Sequence, residues 1–380
     1  MRTSFLAGSR MSCAATGIVT VAMERVFESE ASAELPAELD TGHLLRRVAQ
    51  VAAVAAVVAL AIAALPGLGD VRERFADARP GWVAVAALLE LGSVVSYVVA
   101  FRGVFCRRLP WGFSAQIALA EQAANVLLPA GGAGGLALGA WALRRGGMPV
   151  AHIARRSVAF FVLTSSVNFF LAVIAGVALA LGVLPGDAPP ALALVPAALA
   201  AATIAGVLLL PRLLPDDPVA RGGRVRRFLV GSLRAVADGV RDAVALVRAR
   251  DPLVILGSIG YLAFDAAALA ATFAAFGGGP PLGVFLLAYV LGQLGGLIPV
   301  PGGLGGTDGG LVGAFVLFGT PLSTATAAVL AYRSFQLGLP ALLGTAAFVR
   351  LQRTLARAEA PAAMCAPLAE PLPVVRLSSA

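Results

Sequence analysis

The chain has 380 residues, of which 59% are hydrophobic and 13% are charged, and its mean hydropathy is +0.87. This composition excludes a soluble globular domain and is typical of a protein that crosses a membrane several times. All 29 basic residues are arginine, so the lysine of a Walker A loop or of a Schiff base is missing. We interpret the net charge of +8 as a topology signal and expect no nucleic-acid partner.

Cysteine and histidine are rare and widely separated in this chain. Cys13, Cys106 and Cys365 are scattered and odd in number, and His43 lies far from His152. None of these spacings is typical of a metal site, and the cysteines do not indicate a disulfide framework. We therefore expect no metal and no cofactor.

The N-terminal segment, residues 1–45, lacks the apolar run of a signal peptide. We expect a disordered tail there, and a start of translation at Met23 is an alternative. The rest of the chain is predicted to be a membrane domain, because a membrane-spanning helix needs about 20 apolar residues and six segments reach that length. The six predicted spans are 48–66, 82–101, 157–182, 189–211, 252–276 and 322–349.

Two glycine- and proline-rich breaks, each flanked by short apolar helices, separate some of these spans. A helix of 15 residues rises about 22 Å, which is less than the ~30 Å hydrocarbon core of a bilayer. Broken helices occur at membrane depth only where protein or a water-filled cavity covers them. Each break therefore predicts a re-entrant hairpin. The flanking helices are 114–128 and 135–143 around LLPAGGAGG, and 284–298 and 309–318 around PVPGGLGG.

The arginines test this topology independently, because cytoplasmic loops carry an excess of basic residues. With both termini in the cytoplasm and the terminal tails left out of the count, 21 arginines in the segments next to the spans are cytoplasmic and only three are external. The first hairpin then enters from the cytoplasm and the second from outside, as in an inverted repeat. We predict a membrane domain over 46–355, with repeat one at about 46–211, repeat two at about 252–355 and a C-terminal tail at 356–380.

The segment between the repeats, 212–251, contains nine arginines and a predicted amphipathic helix over 224–250. Such a helix lies on the cytoplasmic leaflet and binds anionic lipid. A plain basic linker is the alternative. The predicted apolar stripe consists of Val225, Leu229, Val236, Val240, Val244 and Val247.

The second break carries a motif, residues 299–308, that reads PVPGGLGGTD, and Arg333 follows in the next span. This pattern resembles the lysylphosphatidylglycerol synthase transmembrane region, also called the flippase-like domain family, over roughly residues 45–355. The chain departs from the family at Thr307-Asp308, where the family has Arg-Glu, and at Phe161, which matches Arg333 in the first half. The resemblance implies lipid translocation. We expect no lysyl transfer, because 380 residues leave no room for the aminoacyl-transferring domain.

The glycines of the two breaks are candidate phosphate-binding residues. A glycine-rich tip that leads into a helix N-terminus presents free N–H groups and the positive end of the helix dipole. Alternatively, the glycines only permit tight turns and close helix packing. The candidate residues are Gly131, Gly132 and Gly134 with Asn125 in the first half, and Gly302, Gly303, Gly305 and Gly306 with Gln336 in the second.

Charged residues inside the predicted spans are a second indication of function. Glu90, Asp265 and Arg333 lie near the middle of their spans, and Glu121 lies in the first hairpin. Each costs about 2.5–3.5 kcal/mol at mid-membrane unless it is paired or faces a cavity, so we expect a polar lumen. Arg333 is the candidate headgroup ligand, with Asp265 or Asp308 as its resting partner. The alternatives are an Asp265–Arg333 pair that only fixes packing and an Asp308 that only caps helix 309–318.

We therefore expect an all-α integral membrane protein with six spans and two oppositely oriented hairpins in the bacterial inner membrane. Its expected function is to move an anionic phospholipid or a polyprenyl-phosphate-linked glycolipid between leaflets. Movement is either passive or coupled to protons or the potential through Glu90, Asp265 or Asp308. A non-transporting accessory subunit of a glycosyltransferase or lipid-modifying enzyme is the alternative. We expect no enzyme activity and, as partners, membrane lipids, further copies of the chain or a lipid-modifying enzyme.

Overall fold

The computed structural model describes residues 69–128, 133–213, 224–297 and 305–357, together with positions 46, 49, 362 and 365. In this part of the chain every regular element is helical. A short 3-10 turn, Leu294–Leu297, continues the ninth of the eleven α-helices. The α-helices are α1 (Gly69–Ala76), α2 (Pro80–Phe105), α3 (Trp111–Leu127), α4 (Ala133–Arg145), α5 (Val150–Ala180), α6 (Pro190–Leu213), α7 (Arg224–Arg248), α8 (Pro252–Ala275), α9 (Leu282–Gln293), α10 (Gly306–Leu317) and α11 (Leu322–Ala356).

Five helices, α2, α5, α6, α8 and α11, are long and apolar enough to cross a membrane. They confirm five of the six predicted spans as helices, whereas the first, 48–66, lies outside the described residues. Local sequence explains where they begin. Pro80 and Pro252 each occupy the first turn, where a helix needs no N–H donor, and the Asp251 carboxylate accepts from the Leu253 N–H at 2.9 Å.

The first helix of each short pair packs against a long helix from the other half of the chain, and the long helices α2 and α8 pack against each other. α3 lies along α11, α9 lies along α5, and α2 lies along α8. Glycines permit the close approach: a Cβ added at Gly257 of α8 would lie 2.5 Å from the backbone nitrogen of Ala100 in α2. On α11, a Cβ at Gly344 would lie 2.2 Å from the carbonyl oxygen of Leu119 in α3. Small residues at such contacts are the usual means of packing helices in membranes.

The predicted helix between the two halves is present as α7, and it packs against the first part of α5. Asp242 of α7 forms ion pairs with Arg155 and Arg156 at 3.8 and 3.6 Å. Of the predicted apolar stripe, Val240 is buried, whereas Val236 and Val247 are exposed. Val225 and Leu229 are outside the described side chains. Binding of anionic lipid by this helix stays a prediction.

The spacing of the cysteines did not indicate a disulfide, but the structure contains one, which joins Cys106 at the end of α2 to Cys365. The backbone N–H of Ala362 also donates to the carbonyl of Gly146 at 2.8 Å, so this part of the C-terminal segment returns to the ends of α2 and α4. The two cysteines are 259 residues apart in sequence. A pairing over that distance is decided by tertiary packing and leaves no local spacing signal.

Candidate functional site

Four of the charged candidates come together where α2, α8, α10 and α11 meet. Arg333 of α11 donates from its Nε to the Asp308 carboxylate of α10 at 2.6 Å, and it also donates to the amide oxygen of Gln336. The Arg333 side chain is 8% exposed and that of Asp308 is 22% exposed. The ion pair therefore reaches from the packed interior to the accessible start of α10.

Asp308 has two roles at once. Its Oδ2 accepts the backbone N–H of Gly305 at 2.8 Å and thereby caps α10, while its Oδ1 accepts from Arg333. Gly305 has a φ of +83°, a conformation that favours glycine because other residues are strained there. Asp308 therefore both caps α10 and pairs with Arg333, and it is not a helix cap only.

Asp265 is the centre of a hydrogen-bonded group beside this ion pair. It accepts from the hydroxyls of Tyr289 and Tyr332, the latter at 2.7 Å, and from Nε2 of Gln336 at 3.0 Å. The amide oxygen of Gln336 accepts a hydrogen bond from Arg333, and its amide nitrogen donates one to Asp265. The amide therefore connects the ion pair to the buried carboxylate.

Glu90 of α2 completes this group, which we call the central cluster: Glu90, Asp265, Tyr289, Asp308, Tyr332, Arg333 and Gln336. Gly92 of α2 packs against Phe264 and Ser93 donates to the carbonyl of Tyr261, so the Glu90 carboxyl lies beside Asp265 of α8, and Glu90 is 3% exposed. Its Oε2 is buried and has no hydrogen-bond partner among the described residues. Three carboxyl groups and one guanidinium therefore share a largely buried volume.

A second group lies in the first half of the chain. Glu121 of α3 is buried and accepts from the Tyr97 hydroxyl at 3.3 Å, and Asn125 accepts the backbone N–H of Gly135 at 2.9 Å. A Cβ at Gly139 would lie 1.9 Å from the Glu121 carboxylate, so only glycine lets α4 approach it. Glu121 is thus placed with Tyr97 rather than with Arg333. The ring centroids of Tyr97 and Tyr261 are 5.2 Å apart, and this ring contact connects the two groups.

The glycine tips are described only in part. Gly131, Gly132, Gly302 and Gly303 lie outside the described residues, so their predicted contact with phosphate is untested. The described tip amides of Gly135 and Gly305 are already bonded to Asn125 and Asp308.

The other described tip glycines make packing contacts. A Cβ at Gly134 would meet Leu128 at 2.7 Å, and a Cβ at Gly295 would meet the carbonyl of Gly306 at 2.0 Å. The close-packing role of these glycines is therefore present, and a ligand at the Gly305 amide would have to replace a side chain.

Sequence reasoning placed Tyr97 on the helix face of Glu90 and Tyr261 on that of Asp265, but it missed Tyr289 and Tyr332. The chain contains only four, Tyr97, Tyr261, Tyr289 and Tyr332, and all of them lie in these two groups or between them. A rare phenol inside an apolar helix was the available signal, and Tyr332 in addition lies next to Arg333 on the same helix. A cavity of about 480 Å³ lies elsewhere, beside α1 at Arg74 and Phe276, and none of its lining residues belongs to the central cluster.

These observations define a multi-pass membrane protein whose long helices enclose a hydrogen-bonded cluster of carboxyl, guanidinium, amide and phenol groups. The family model of the lysylphosphatidylglycerol synthase transmembrane region matches residues 48–344, and the chain belongs to this family. The match confirms the resemblance predicted from residues 299–308 and Arg333, and it associates the protein with lipid metabolism. No curated protein matches the chain.

Proposed function

We propose that this protein is a lipid translocase that moves an anionic phospholipid or a polyprenyl-phosphate-linked glycolipid across the bacterial inner membrane. The observation that carries the proposal is the Arg333–Asp308 ion pair at the N-terminus of α10, 2.6 Å long and accessible on the Asp308 side. A guanidinium binds carboxylate and phosphate through the same planar arrangement of donors. A lipid phosphate can therefore take the place that Asp308 occupies at rest.

The exchange of Asp308 for a phosphate is favoured by the geometry of α10. When Arg333 turns to the phosphate, Asp308 keeps the N–H of Gly305 as a hydrogen-bond donor. The phosphate also meets the positive end of the α10 dipole, which stabilises a negative charge by about 0.3–1 kcal/mol at exposed sites. The headgroup is thus bound without leaving the displaced carboxylate unpaired.

The reciprocal packing supports an inverted repeat with two re-entrant hairpins. α9 and α10 have 12 residues each, so each rises about 18 Å and is too short for a ~30 Å core. α3 packs on α11 of the other half, and α9 packs on α5, as two repeats related by a pseudo-twofold axis would. Together with the arginine distribution, this favours cytoplasmic termini and hairpins that enter from opposite faces.

The hairpin topology predicts which positions an impermeant thiol reagent reaches. In a background without the three natural cysteines, single cysteines at Arg108 and Val150 flank the first hairpin, and those at Leu282 and Leu322 flank the second. On intact cells, only the second pair should be labelled, and the first pair should need a permeabilised membrane. If the two ends of one hairpin were labelled from opposite faces, that hairpin would be a full crossing and the inverted repeat would be wrong.

Reconstitution tests the transport proposal directly. Purified protein in vesicles that contain fluorescent phosphatidylglycerol in both leaflets should let an external quencher reach the inner-leaflet label, and the rate should rise with the protein-to-lipid ratio. The same vesicles without protein are the control. Inner-leaflet label that stays protected for every anionic lipid and polyprenyl phosphate tried would contradict a translocase and favour the accessory-subunit alternative.

A further inference from the structure

The charges of the central cluster do not balance if every acid is ionised. The carboxyls of Glu90, Asp265 and Asp308 share one guanidinium, that of Arg333, which is bonded to Asp308 at 2.6 Å. Glu90 and Asp265 face each other, and they are 3% and 7% exposed. Two negative charges in direct contact, away from water, repel strongly enough that such carboxyl pairs retain a proton.

The hydrogen bonds distinguish the two acids of this pair. Asp265 accepts three donors, from Tyr289, Tyr332 and Gln336, and such donors stabilise the ionised form of a carboxyl group. Glu90 has a buried Oε2 that receives no donor from the part of the chain that the structure describes. An ionised oxygen in that position would lose its hydration and gain nothing in return, whereas a neutral carboxyl group pays a much smaller cost.

We propose that Glu90 and Asp265 form a proton-binding site, in which one proton is shared by the two carboxyl groups and is carried at rest by Glu90. The proton lies between Glu90 as donor and Asp265 as acceptor, so that the pair holds a single negative charge. Asp265 keeps its three other hydrogen bonds, and the remaining charge is bridged to Arg333 through Gln336.

The groups that face the pair come from α8, α9, α10 and α11, whereas Glu121 of α3, which also packs against α2, is bonded to Tyr97. The facing groups are Tyr261 of α8, Tyr289 of α9, Asp308 of α10, and Tyr332 and Arg333 of α11. α5 also packs against α2 and α8, but its titratable residues His152, Arg155 and Arg156 lie in its first two turns, where His152 contacts the end of α2. Arg333 is therefore the positive charge that the structure places nearest to the pair.

A coupling follows from this arrangement, and it rests on the proposed function. A phosphate that binds Arg333 brings further negative charge to the cluster and weakens the attraction between Arg333 and Asp265. The pair then binds its proton more tightly, because neighbouring negative charge favours the neutral acid. Bound lipid thus favours the protonated pair, and release of the lipid favours loss of the proton, which links lipid movement to the proton gradient.

Infrared difference spectroscopy tests the proton site without any transport. At neutral pH the protein should show the carbonyl band of a protonated carboxyl group that shifts in deuterated water, and Glu90→Gln should remove it. Glu121→Gln is the matched control, because Glu121 is equally buried but belongs to the group around Tyr97, so the Glu90 band should stay. A wild-type spectrum unchanged by Glu90→Gln would overturn the proposal.

Stability provides a second measurement. Glutamine has the shape of a neutral glutamic acid, so Glu90→Gln should unfold near the wild-type temperature, whereas Asp265→Asn should unfold earlier because it weakens three hydrogen bonds. A Glu90→Gln protein that fails to fold would contradict a neutral Glu90.

Proton uptake on adding short-chain phosphatidylglycerol tests the coupling, read with an indicator dye in weakly buffered detergent at a pH high enough that the lipid-free pair is partly deprotonated. Uptake should be lost in Glu90→Gln, and inorganic phosphate is the comparison that separates a headgroup from free phosphate. If the vesicles show no lipid movement while the infrared band is present, the proposed translocase function is wrong and the proposed proton site is still supported.

Discussion

Replacing Arg333 by lysine should slow lipid movement roughly tenfold or more while the protein stays folded, because one charge-assisted hydrogen bond contributes about 1.5–3 kcal/mol. Arg333 donates to Asp308 and Gln336 from two different nitrogens. A lysine keeps the charge on one nitrogen and cannot form the planar two-point contact that a phosphate accepts. The measurement is the rate at which inner-leaflet fluorescent phosphatidylglycerol becomes accessible in vesicles.

Arg333→Leu should abolish that movement. The substitution should lower thermal stability only moderately, because Asp308 is partly exposed and still accepts the Gly305 N–H. Adding Asp308→Asn should therefore recover thermal stability but no transport. Arg350→Lys, at an exposed position further along α11, is the matched control and should behave as wild type. Full transport in Arg333→Leu would reduce Arg333 to a packing residue and remove the main support for a headgroup site.

Replacing Asp308 by alanine should have the largest effect on stability. It removes the cap on α10, which is worth about 1 kcal/mol, and it removes the partner of Arg333, a charged hydrogen bond worth about 1.5–3 kcal/mol. Asp308→Asn is the informative comparison, because its amide oxygen can still accept the Gly305 N–H while the negative charge is lost. Thermal unfolding in detergent should rank wild type above Asp308→Asn, and Asp308→Asn above Asp308→Ala.

The same variants separate the two roles of Asp308 in binding. With no resting carboxylate to displace, Asp308→Asn should bind short-chain phosphatidylglycerol more tightly and release it more slowly than wild type. Unchanged affinity and rate would mean that Asp308 is a helix cap only, and the exchange of carboxylate for phosphate would then be wrong.

Local sequence was sufficient to predict the class of this protein and several members of its site. Uninterrupted apolar length predicts the long helices, because a backbone in hydrocarbon must satisfy its own hydrogen bonds. The cost of isolated charges in such helices singled out Glu90, Asp265 and Arg333. Asp308 was also found from local sequence as the cap of a helix predicted to begin at Gly309, whereas in the structure α10 begins at Gly306 and Asp308 lies three residues after the N-cap Gly305.

Only the tertiary structure decided how these residues are connected. Sequence left Arg333 with two acidic partners, and the placement of α10 against α11 puts Asp308 on its Nε while Gln336 bridges to Asp265. The tyrosines that donate to Asp265 come from α9 and α11, and the carboxyl group that faces it comes from α2. The disulfide between Cys106 and Cys365 is likewise a long-range contact that the tertiary structure determines. Such contacts join residues up to 259 positions apart, and they depend on which faces of the helices meet. Close glycine contacts, such as that of Gly257 with Ala100, help to determine which faces meet, and the local periodicity of the sequence does not predict them.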